Sequence, residues 1–233
     1  MTNPWKRREV IGDATLYLGD CLEILPTLQQ HDLGIHDPPY GVGENAMRIA
    51  SRTKLAKTTD YGDFDWDNEP MSDDRIALCI SSAKNTIIWG GNYFKVPPSS
   101  GWLVWDKINS GNFADCELAW TNLKMSVRMF RHMWNGMLRD SEKGLPRVHP
   151  TQKPVALMDW CLSHAADATT IIDACMGSAP VGIAAATRGL KYTGIELMER
   201  NFDIACERID NAYRQKPMFE PDAPRRSEQV KLL

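Results

Sequence analysis

The amino-acid sequence predicts an α/β domain. Short apolar runs that are typical of β-strands alternate with segments of helical periodicity, which is the order found when helices cover a sheet. Several of these runs are apolar at nearly every position, as in strands that are buried on both faces. The chain has 233 residues, of which 43% are hydrophobic and 24% charged. It is therefore large enough for a packed core, and global disorder is excluded.

The individual elements are predicted in order along the chain. Strands are expected at Leu16–Leu18, Leu33–His36, Thr86–Trp89, Trp102–Trp105, Glu117–Trp120, Thr170–Asp173 and Tyr192–Leu197. The spacing of apolar residues predicts helices over Val155–Ala165, Val181–Thr187 and Met198–Tyr213. Gly189 is suited to end the second of these helices.

Two polar segments interrupt this alternation, and a third ends the chain. Residues 44–70 and 128–147 are rich in charged side chains, and we expect a single domain over 1–214 that carries them as insertions. Their basic residues include Arg48, Arg52, Lys54, Lys57, Arg128, Arg131, Arg139 and Arg147. Residues 215–233 contain three prolines and little core material, which predicts a loose tail.

Composition excludes several classes of protein. The formal net charge is −3, so the overall basic excess of many nucleic-acid binders is absent, although a local basic face would suffice. The six cysteines include no Cys-x-x-Cys pair, which argues against a zinc site and favours reduced, buried thiols. No apolar run is long enough for a membrane span, and the polar segment Met1–Glu9 does not resemble a signal peptide. The cytoplasm is therefore the expected location.

The first candidate motif is Asp37-Pro38-Pro39-Tyr40, directly after a predicted strand. Each proline fixes its own φ, so the tetrapeptide forms a rigid corner that holds a carboxylate, carbonyls and an aromatic ring in fixed relation. The amino group of a nucleobase is a poor nucleophile because its lone pair is delocalised into the ring. Hydrogen bonds from its N–H groups to the Asp37 carboxylate and the Pro38 carbonyl would free that lone pair, while Tyr40 stacks on the extruded base. An ordinary proline turn is the alternative.

The second candidate motif is Asp173-Ala174-Cys175-Met176-Gly177-Ser178, between a predicted strand and a predicted helix. A phosphate-binding P-loop is excluded because Ile183 stands where a lysine is required, and Ala179 stands at the second glycine of Gly-x-Gly-x-x-Gly. Glu196 follows Gly177 by 19 residues, a separation that suits binding of ribose hydroxyls. The motif predicts a cofactor that contains a nucleoside. A plain strand–turn–helix with a surface glutamate is the alternative.

The third candidate motif is His149-Pro150-Thr151-Gln152-Lys153-Pro154, before a predicted helix. Thr151 is suited to cap this helix, and Pro154 is suited to its first turn. The helix N-terminus and Lys153 together would attract a carboxylate. A capped helix start without a binding role is the alternative.

Together these motifs resemble those of the S-adenosylmethionine-dependent DNA amino-methyltransferases, which modify adenine N6 or cytosine N4. The segment Leu18–Leu22 is similar to the one that contacts the adenine of the cofactor, and the motif order resembles that of the permuted β-type enzymes. The resemblance implies a doubly wound, mostly parallel, Rossmann-like sheet with a small inserted DNA-recognition region. It also implies S-adenosyl-L-methionine as cofactor, double-stranded DNA as partner, and the cytoplasm of a bacterial or phage-infected cell. Dimerisation would follow from the resemblance alone.

The resemblance assigns roles residue by residue. The catalytic residues would be Asp37, Pro38, Pro39 and Tyr40. The cofactor would be bound by Asp20, Cys21, Asp37, His149, Thr151, Lys153, Asp173, Met176, Gly177, Ser178 and Glu196.

Recognition of DNA must come from outside this shared core. The candidates for DNA contact are Arg48, Arg52, Lys54, Lys57, Arg131 and Arg139, in the segments 44–70 and 128–147. Arginines can anchor phosphates or read guanine edges, and Trp134 or Trp66 could fill the space left by an extruded base. A solvated loop with ordinary ion pairs is the alternative for each segment.

Two positions bear on the choice of substrate and on activity. Asp37, where cytosine-directed relatives more often carry serine, favours adenine N6, and cytosine N4 is the alternative. Chemistry at cytosine C5 is disfavoured, since it uses a cysteine that typically follows proline and the chain has no Pro-Cys pair. Ala179-Pro180-Val181 replaces the Gly-Thr-Thr of the family. A catalytically impaired protein that binds DNA or cofactor is therefore the second alternative.

Overall fold

The computed structural model describes residues 3–41, 69–108, 114–135, 138–145, 148 and 151–215. Several residues named above lie outside this part of the chain: Arg48, Arg52, Lys54, Lys57, Trp66, Arg147, His149 and all residues after Gln215.

Eleven strands and five α-helices are present in the described residues. The strands are β1 (Arg7–Ile11), β2 (Ala14–Leu18), β3 (His31–His36), β4 (Ala83–Trp89), β5 (Trp102–Asp106), β6 (Cys116–Thr121), β7 (Arg128–Arg131), β8 (Trp134–Asn135), β9 (Leu138–Arg139), β10 (Thr170–Asp173) and β11 (Lys191–Glu196). The helices are α1 (Cys21–Ile24), α2 (Asp73–Ser81), α3 (Val155–Ser163), α4 (Pro180–Arg188) and α5 (Glu199–Arg214). Short 3₁₀ helices occur at Leu25–Thr27 and Gly91–Tyr93.

Nine of the described strands form one sheet. Their order is β1-β2-β11-β10-β3-β4-β6-β5-β7, and β8 pairs with β9 in a separate hairpin. All strands of the large sheet except β1 and β6 run in the same direction. This mostly parallel sheet agrees with the predicted fold class. The chain order changes direction between β3 and β10, and α/β sheets bind their ligands at the carboxyl ends of the strands beside such a point.

Helices cover both faces of the sheet because alternate strand residues point to opposite sides. On one face, Leu33, Ile35 and Ile171 pack in the same cluster as the buried residues of α3, α4 and α5. On the other face, Ile172 and Ile195 pack with residues of α1 and α2. The central strands are therefore buried on both sides over their carboxyl-terminal parts, where their apolar residues lie.

All seven predicted strands are present, but two strands of the sheet were not predicted. Strand β1 has exposed and half-buried residues in alternation, and it pairs antiparallel with β2 at one edge. Strand β7 lies at the other edge, where it pairs with β5. The segment 128–147 was predicted as an insertion, and this prediction needs correction for Arg128–Arg131, which form β7 of the large sheet. The sequence of β7 is polar because an edge strand buries little of its surface.

No helix in the described residues is both long and apolar enough to cross a membrane.

Candidate active site

A cavity of about 610 Å³ lies at the carboxyl ends of the parallel strands. Strands β2, β3, β10 and β11 each end at its wall, and they bring residues from distant parts of the sequence together. The predicted residues that line it are Asp20, Cys21, Asp37, Pro38, Pro39, Tyr40, Thr151, Lys153, Asp173, Met176, Gly177, Ser178 and Glu196. The cavity thus joins the three sequence motifs in one site.

The corner after β3 holds a carboxylate and an aromatic ring together. The hydroxyl of Tyr40 donates a hydrogen bond to Asp37 Oδ1 at 2.8 Å. The Tyr40 ring stacks on Tyr93, with 5.2 Å between the ring centroids and 11° between the planes. Gly90, which follows β4 and has a φ of +68°, packs so closely that a Cβ there would lie 2.2 Å from Tyr40 Cε1. The tyrosine is therefore fixed from several sides.

His36, one residue before Asp37, joins this corner to the loop after β10. The imidazole is fully buried, and its Nδ1 accepts the N–H of Ala174 at 3.0 Å. Burial lowers the pKa of His36 to about 4, so the ring is neutral at physiological pH. Sequence reasoning treated His36 only as the end of a strand.

The ammonium group of Lys153 lies at the centre of a charged cluster. Its Nζ forms an ion pair with Asp37 Oδ1, donates to the Tyr40 hydroxyl at 3.0 Å, and lies 3.3 Å from Glu117 Oε2. Glu117 belongs to β6, and its Oε1 forms a second ion pair with Lys107. Only 5% of the Lys153 side chain is exposed. These charges therefore interact in a poorly solvated environment, where their attraction is strong.

Burial and pairing shift the pKa values of this cluster in different directions. Burial raises the pKa of Asp37, an effect that Lys153 opposes and Glu117 reinforces. Burial also opposes the ionisation of Glu117, but Lys153 and Lys107 outweigh it and lower the pKa of Glu117 to about 2. Burial disfavours the charge on Lys153, yet the two carboxylates outweigh it and raise the pKa of the lysine. As the pH falls, Asp37 therefore takes up a proton before Glu117 does.

The start of helix α3 differs from the prediction. The helix begins at Val155, and Pro154 is its N-cap residue rather than part of its first turn. The Val155 N–H is not satisfied by Thr151, because it donates to Glu142 Oε2 at 3.1 Å. The ammonium of Lys153 pairs with Asp37. The lysine lines the cavity, and attraction of a ligand carboxylate by it stays a prediction.

The loop after β10 is held by the carboxylate of Glu196. Its Oε2 accepts the N–H of Gly177 at 2.9 Å, and its Oε1 accepts the N–H of Met198 at 2.8 Å. Asp173 Oδ1 accepts the N–H of Cys175 at 3.0 Å. Among the described residues, neither Asp173 nor Glu196 forms an ion pair with a basic side chain.

These two carboxyl groups make this part of the cavity strongly acidic. Burial raises the pKa of Asp173 well above its usual range, and the charges of Asp37 and Glu196 add to that effect. Burial likewise raises the pKa of Glu196, against the hydrogen bonds that its carboxylate accepts. Buried negative charge without a positive partner is costly. This region therefore favours a ligand that brings positive charge and hydroxyl donors.

Asp20 fixes the end of the cavity next to β2. Its Oδ1 accepts the N–H of Leu22 at 2.9 Å, and its two oxygens accept hydrogen bonds from Arg75 at 2.5 and 2.8 Å. Arg75 also lies 3.6 Å from the sulfur of Cys21 and lines the cavity. The sequence did not point to Arg75, because helix α2 was not predicted.

Ala179 stands where the family that the sequence resembles carries glycine, and its φ is positive. It is fully buried and has φ of 55° and ψ of 47°, the left-handed conformation that favours glycine. It is the N-cap residue of α4, directly after the motif Asp173–Ser178.

The predicted DNA-contacting residues that the structure describes are partly engaged within the protein. Arg131 forms an ion pair with Asp106 at 2.9 Å. Arg139 donates to the carbonyl of Leu145 at 3.0 Å, and its guanidinium lies 5.3 Å from the ring centroid of Trp134. Trp134, which with Trp66 was named as able to fill the space left by an extruded base, lines the cavity. Its side chain is buried in the core, where its Nε1 donates to the Gln152 carbonyl at 2.8 Å.

Comparisons with known proteins bear on this geometry. The family model described as DNA methylase matches residues 88–207, and no curated protein sequence matches the chain. The crystal structure of the M1.HpyAVI–SAM complex is similar over 84% of this chain and 99% of its own, with 19% identity and a TM-score of 0.54. The PvuII DNA methyltransferase, described as cytosine-N4-specific, is similar over 90% of this chain and 95% of its own, with 12% identity and a TM-score of 0.55. These likenesses show the same Rossmann-like fold.

Proposed function

Because the chain belongs to the DNA methylase family, we propose that it is a site-specific DNA adenine N6-methyltransferase. S-Adenosylmethionine is the cofactor, and double-stranded DNA is the substrate. The choice of adenine N6 over cytosine N4 is the finer part of the proposal, and it rests on the carboxylate of Asp37 at the first position of the catalytic tetrapeptide. The M1.HpyAVI complex, a structure of the same fold, contains SAM.

The residues of the cavity fit this cofactor. A volume of about 610 Å³ lies within the range of small-molecule sites. The acidic pair of Asp173 and Glu196 suits the amino group and the ribose hydroxyls, and Asp20 and Cys21 would border the adenine. When bound, S-adenosylmethionine supplies a methyl group on a positively charged sulfur. Burial and, to a smaller extent, the charges of Asp37 and Glu196 raise the pKa of Asp173, and such a cation would favour its ionised form.

One observation carries the proposal. Strands β3 and β10 are neighbours in the sheet, with Leu33 opposite Ile171. Their ends therefore place the Asp37 carboxylate and the acidic cofactor loop against the same cavity. A hydrogen-bond acceptor for an amino group and a site for a cationic donor are the two parts that methyl transfer to an amine requires.

The chain's own residues then act on the substrate amine. Asp37 and the Pro38 carbonyl accept hydrogen bonds from its two N–H groups, which concentrates the lone pair on nitrogen. Tyr40 holds the plane of the extruded base. The nitrogen lone pair would be accepted at the methyl carbon of bound S-adenosylmethionine, with the electrons of the C–S bond left on sulfur. The nitrogen would then lose one proton, which the Asp37 carboxylate would accept.

The order of motifs supports assignment to the permuted β-type enzymes, with residues 1–214 as one methyltransferase domain. Segment 44–70 and the part of 128–147 beyond β7 are proposed as the regions that contact DNA. The protein is also proposed to pair as a homodimer, which sedimentation velocity at micromolar concentration would test.

The proposal is tested by incubating the protein with labelled S-adenosylmethionine and DNA of mixed sequence, followed by digestion to nucleosides. We expect label in N6-methyladenine, and we expect Asp37→Ala to lower the rate by about 10²-fold or more, since it removes an acceptor that acts in the transition state. Asp159→Asn, a change at a surface ion pair with Arg188, is the control and retains activity. Label in N4-methylcytosine would overturn the assignment to adenine.

Binding of the cofactor separates an impaired protein from a wrong assignment. Isothermal titration should give heat of binding with S-adenosylmethionine. Heat without methyl transfer would favour the impaired relative suggested by Ala179-Pro180-Val181. The absence of both would contradict the proposed function.

A further inference from the structure

Glu117 has no part in the proposed reaction, yet it faces the reacting carboxylate. It lies on β6, in the middle of the chain and outside every sequence motif. Its Oε2 is buried and, within the described part of the chain, accepts no hydrogen bond. The nearest cation is Lys153 Nζ, at 3.3 Å in an ion pair. This oxygen therefore has unused capacity to accept a hydrogen bond from the lysine.

Lys153 lies between two carboxylates and is bound more closely to one of them. Its Nζ is in close contact with Asp37 Oδ1, the oxygen that also accepts the Tyr40 hydroxyl. An incoming amine that approaches this oxygen competes with both donors. A displacement of Lys153 Nζ by about 0.5 Å would bring it to the usual hydrogen-bond distance from Glu117. Glu117 is thus already positioned as the alternative partner of Lys153.

Lys107 pairs with Glu117 and helps to keep its carboxylate ionised. It forms an ion pair with the other oxygen, Oε1, and its Nζ also lies 5.1 Å from the ring centroid of Trp105. The four side chains Asp37, Glu117, Lys153 and Lys107 carry no net charge when all are ionised. Movement of Lys153 from one carboxylate to the other therefore exchanges ion pairs without leaving a buried charge unpaired.

We propose that Glu117 is a positioning residue for methyl transfer, which draws the Lys153 ammonium away from Asp37 when the substrate amine enters. Asp37 then accepts the amine N–H, while the lysine remains paired. This inference rests on the proposed function, because it assigns Asp37 to the amine. It adds a residue that acts through Lys153 and does not touch the substrate.

The variant Glu117→Gln tests this role, since it keeps the size and an acceptor oxygen but removes the charge. Lys153 should then stay on Asp37, and kcat should fall by about 10- to 100-fold, as for a misplaced reacting group, with little change in KM for S-adenosylmethionine. Asp37 faces Lys153, Tyr40 and Glu117, and loss of the Glu117 charge should lower its pKa. The acidic limb of the pH–rate profile should therefore move to lower pH.

A purely structural role for Glu117 would give a different result. It would lower the stability of the fold but leave kcat of the folded protein unchanged at the pH optimum, and that result would overturn the inference. If Glu117→Gln does not fold, Lys107→Met provides a second variant. It leaves Glu117 charged with Lys153 as its only cation in the cluster, so Lys153 should move toward Glu117 and the acidic limb should move to higher pH. An acidic limb at the wild-type pH in Lys107→Met would overturn the inference.

A measurement without turnover separates this inference from the proposed function. The pKa of the Asp37 carboxyl group is followed by ¹³C NMR in the wild type and in Glu117→Gln, with Asp159→Asn as control. A lower pKa in Glu117→Gln alone supports the coupling even if the DNA substrate is wrong. Equal pKa values in the three proteins would contradict it. Failure of methyl transfer by the wild type, in contrast, counts against the proposed function only.

Discussion

At residue 179 an alanine occupies a conformation that suits glycine. A Cβ in the left-handed region costs about 1–2 kcal/mol, and here the residue is fully buried between the cofactor loop and helix α4. The sequence pointed to this position because the resembling family carries glycine there. The structure adds that the backbone has kept the glycine conformation although the side chain has changed.

Ala179→Gly should therefore stabilise the protein. Glycine relieves the strain but costs about 0.4–1 kcal/mol through the unfolded chain, so we expect a net gain of about 0.5–1 kcal/mol. Urea denaturation measures the free energy of unfolding. Ala184→Gly, in the interior of the same helix, is the matched control and should lose about 1 kcal/mol. A loss in both variants would show that Ala179 is not strained.

Among the elements, the loop after β4 matters because it fixes Tyr40, the tyrosine proposed to stack on the substrate base. Gly90 has a positive φ, and a Cβ at this position would overlap the ring of Tyr40. Strand β4 therefore does more than complete the sheet, since its end determines where Tyr40 can lie. The stacking of Tyr40 on Tyr93, from the 3₁₀ turn Gly91–Tyr93, depends on the same loop.

Gly90→Ala should displace Tyr40 and lower kcat by about 10²-fold, with a smaller effect on S-adenosylmethionine binding. Gly189→Ala is the control, because its φ is +70° and a Cβ there meets nothing within 4 Å. Both variants carry the backbone penalty, but only the first moves the ring. Equal losses of kcat in the two would mean that Tyr40 tolerates the displacement.

The elements also show which parts of the fold the sequence could predict. Central strands such as β3 and β10 are visible because each carries a short buried apolar run, Leu33–Ile35 and Ile171–Ile172, directly before a polar residue. Edge strands β1 and β7 and the helix α2 have mixed composition, and their stability comes from pairing and packing across the chain. Local patterns carry no record of such contacts.

The candidate site follows the same division. Residues in contiguous motifs, such as Asp37 and Gly177, were found because a short sequence fixes their geometry. Glu117, Lys107 and Arg75 were missed because each is a single charged residue whose partner lies far along the chain. The only local sequence signal concerned Glu117, a charged residue at the start of a strand that is otherwise largely apolar.

For the whole molecule, a net charge of −3 means that DNA must be attracted by a local basic surface. Residues 44–68 lie outside the described part of the chain, and their basic first part is the strongest candidate in the sequence. Arg131, in contrast, is already paired with Asp106. Binding to DNA should therefore depend more on Arg48 and Arg52 than on Arg131.

The double variant Arg48→Ala, Arg52→Ala should weaken DNA binding and make it less dependent on salt. Loss of two phosphate contacts lowers the slope of log K against log salt concentration by about 2. Fluorescence anisotropy with a labelled duplex over a range of salt concentrations measures this slope. Arg188→Ala, at a surface ion pair with Asp159, is the control. An unchanged slope in the double variant would remove the segment from the interface.

The adjacency of β3 and β10 also has a consequence for synthesis on the ribosome. These paired strands are separated by more than 130 residues of sequence, so the first waits while most of the polypeptide is translated. A nascent chain that has exposed Leu33 and Ile35 lacks the neighbour that will cover one edge of that strand. Pairing of strands that are so far apart in sequence slows folding, and it leaves apolar segments exposed to aggregation in the meantime. Cells that make this protein rapidly should therefore depend on chaperones to hold its first half until the last strands emerge.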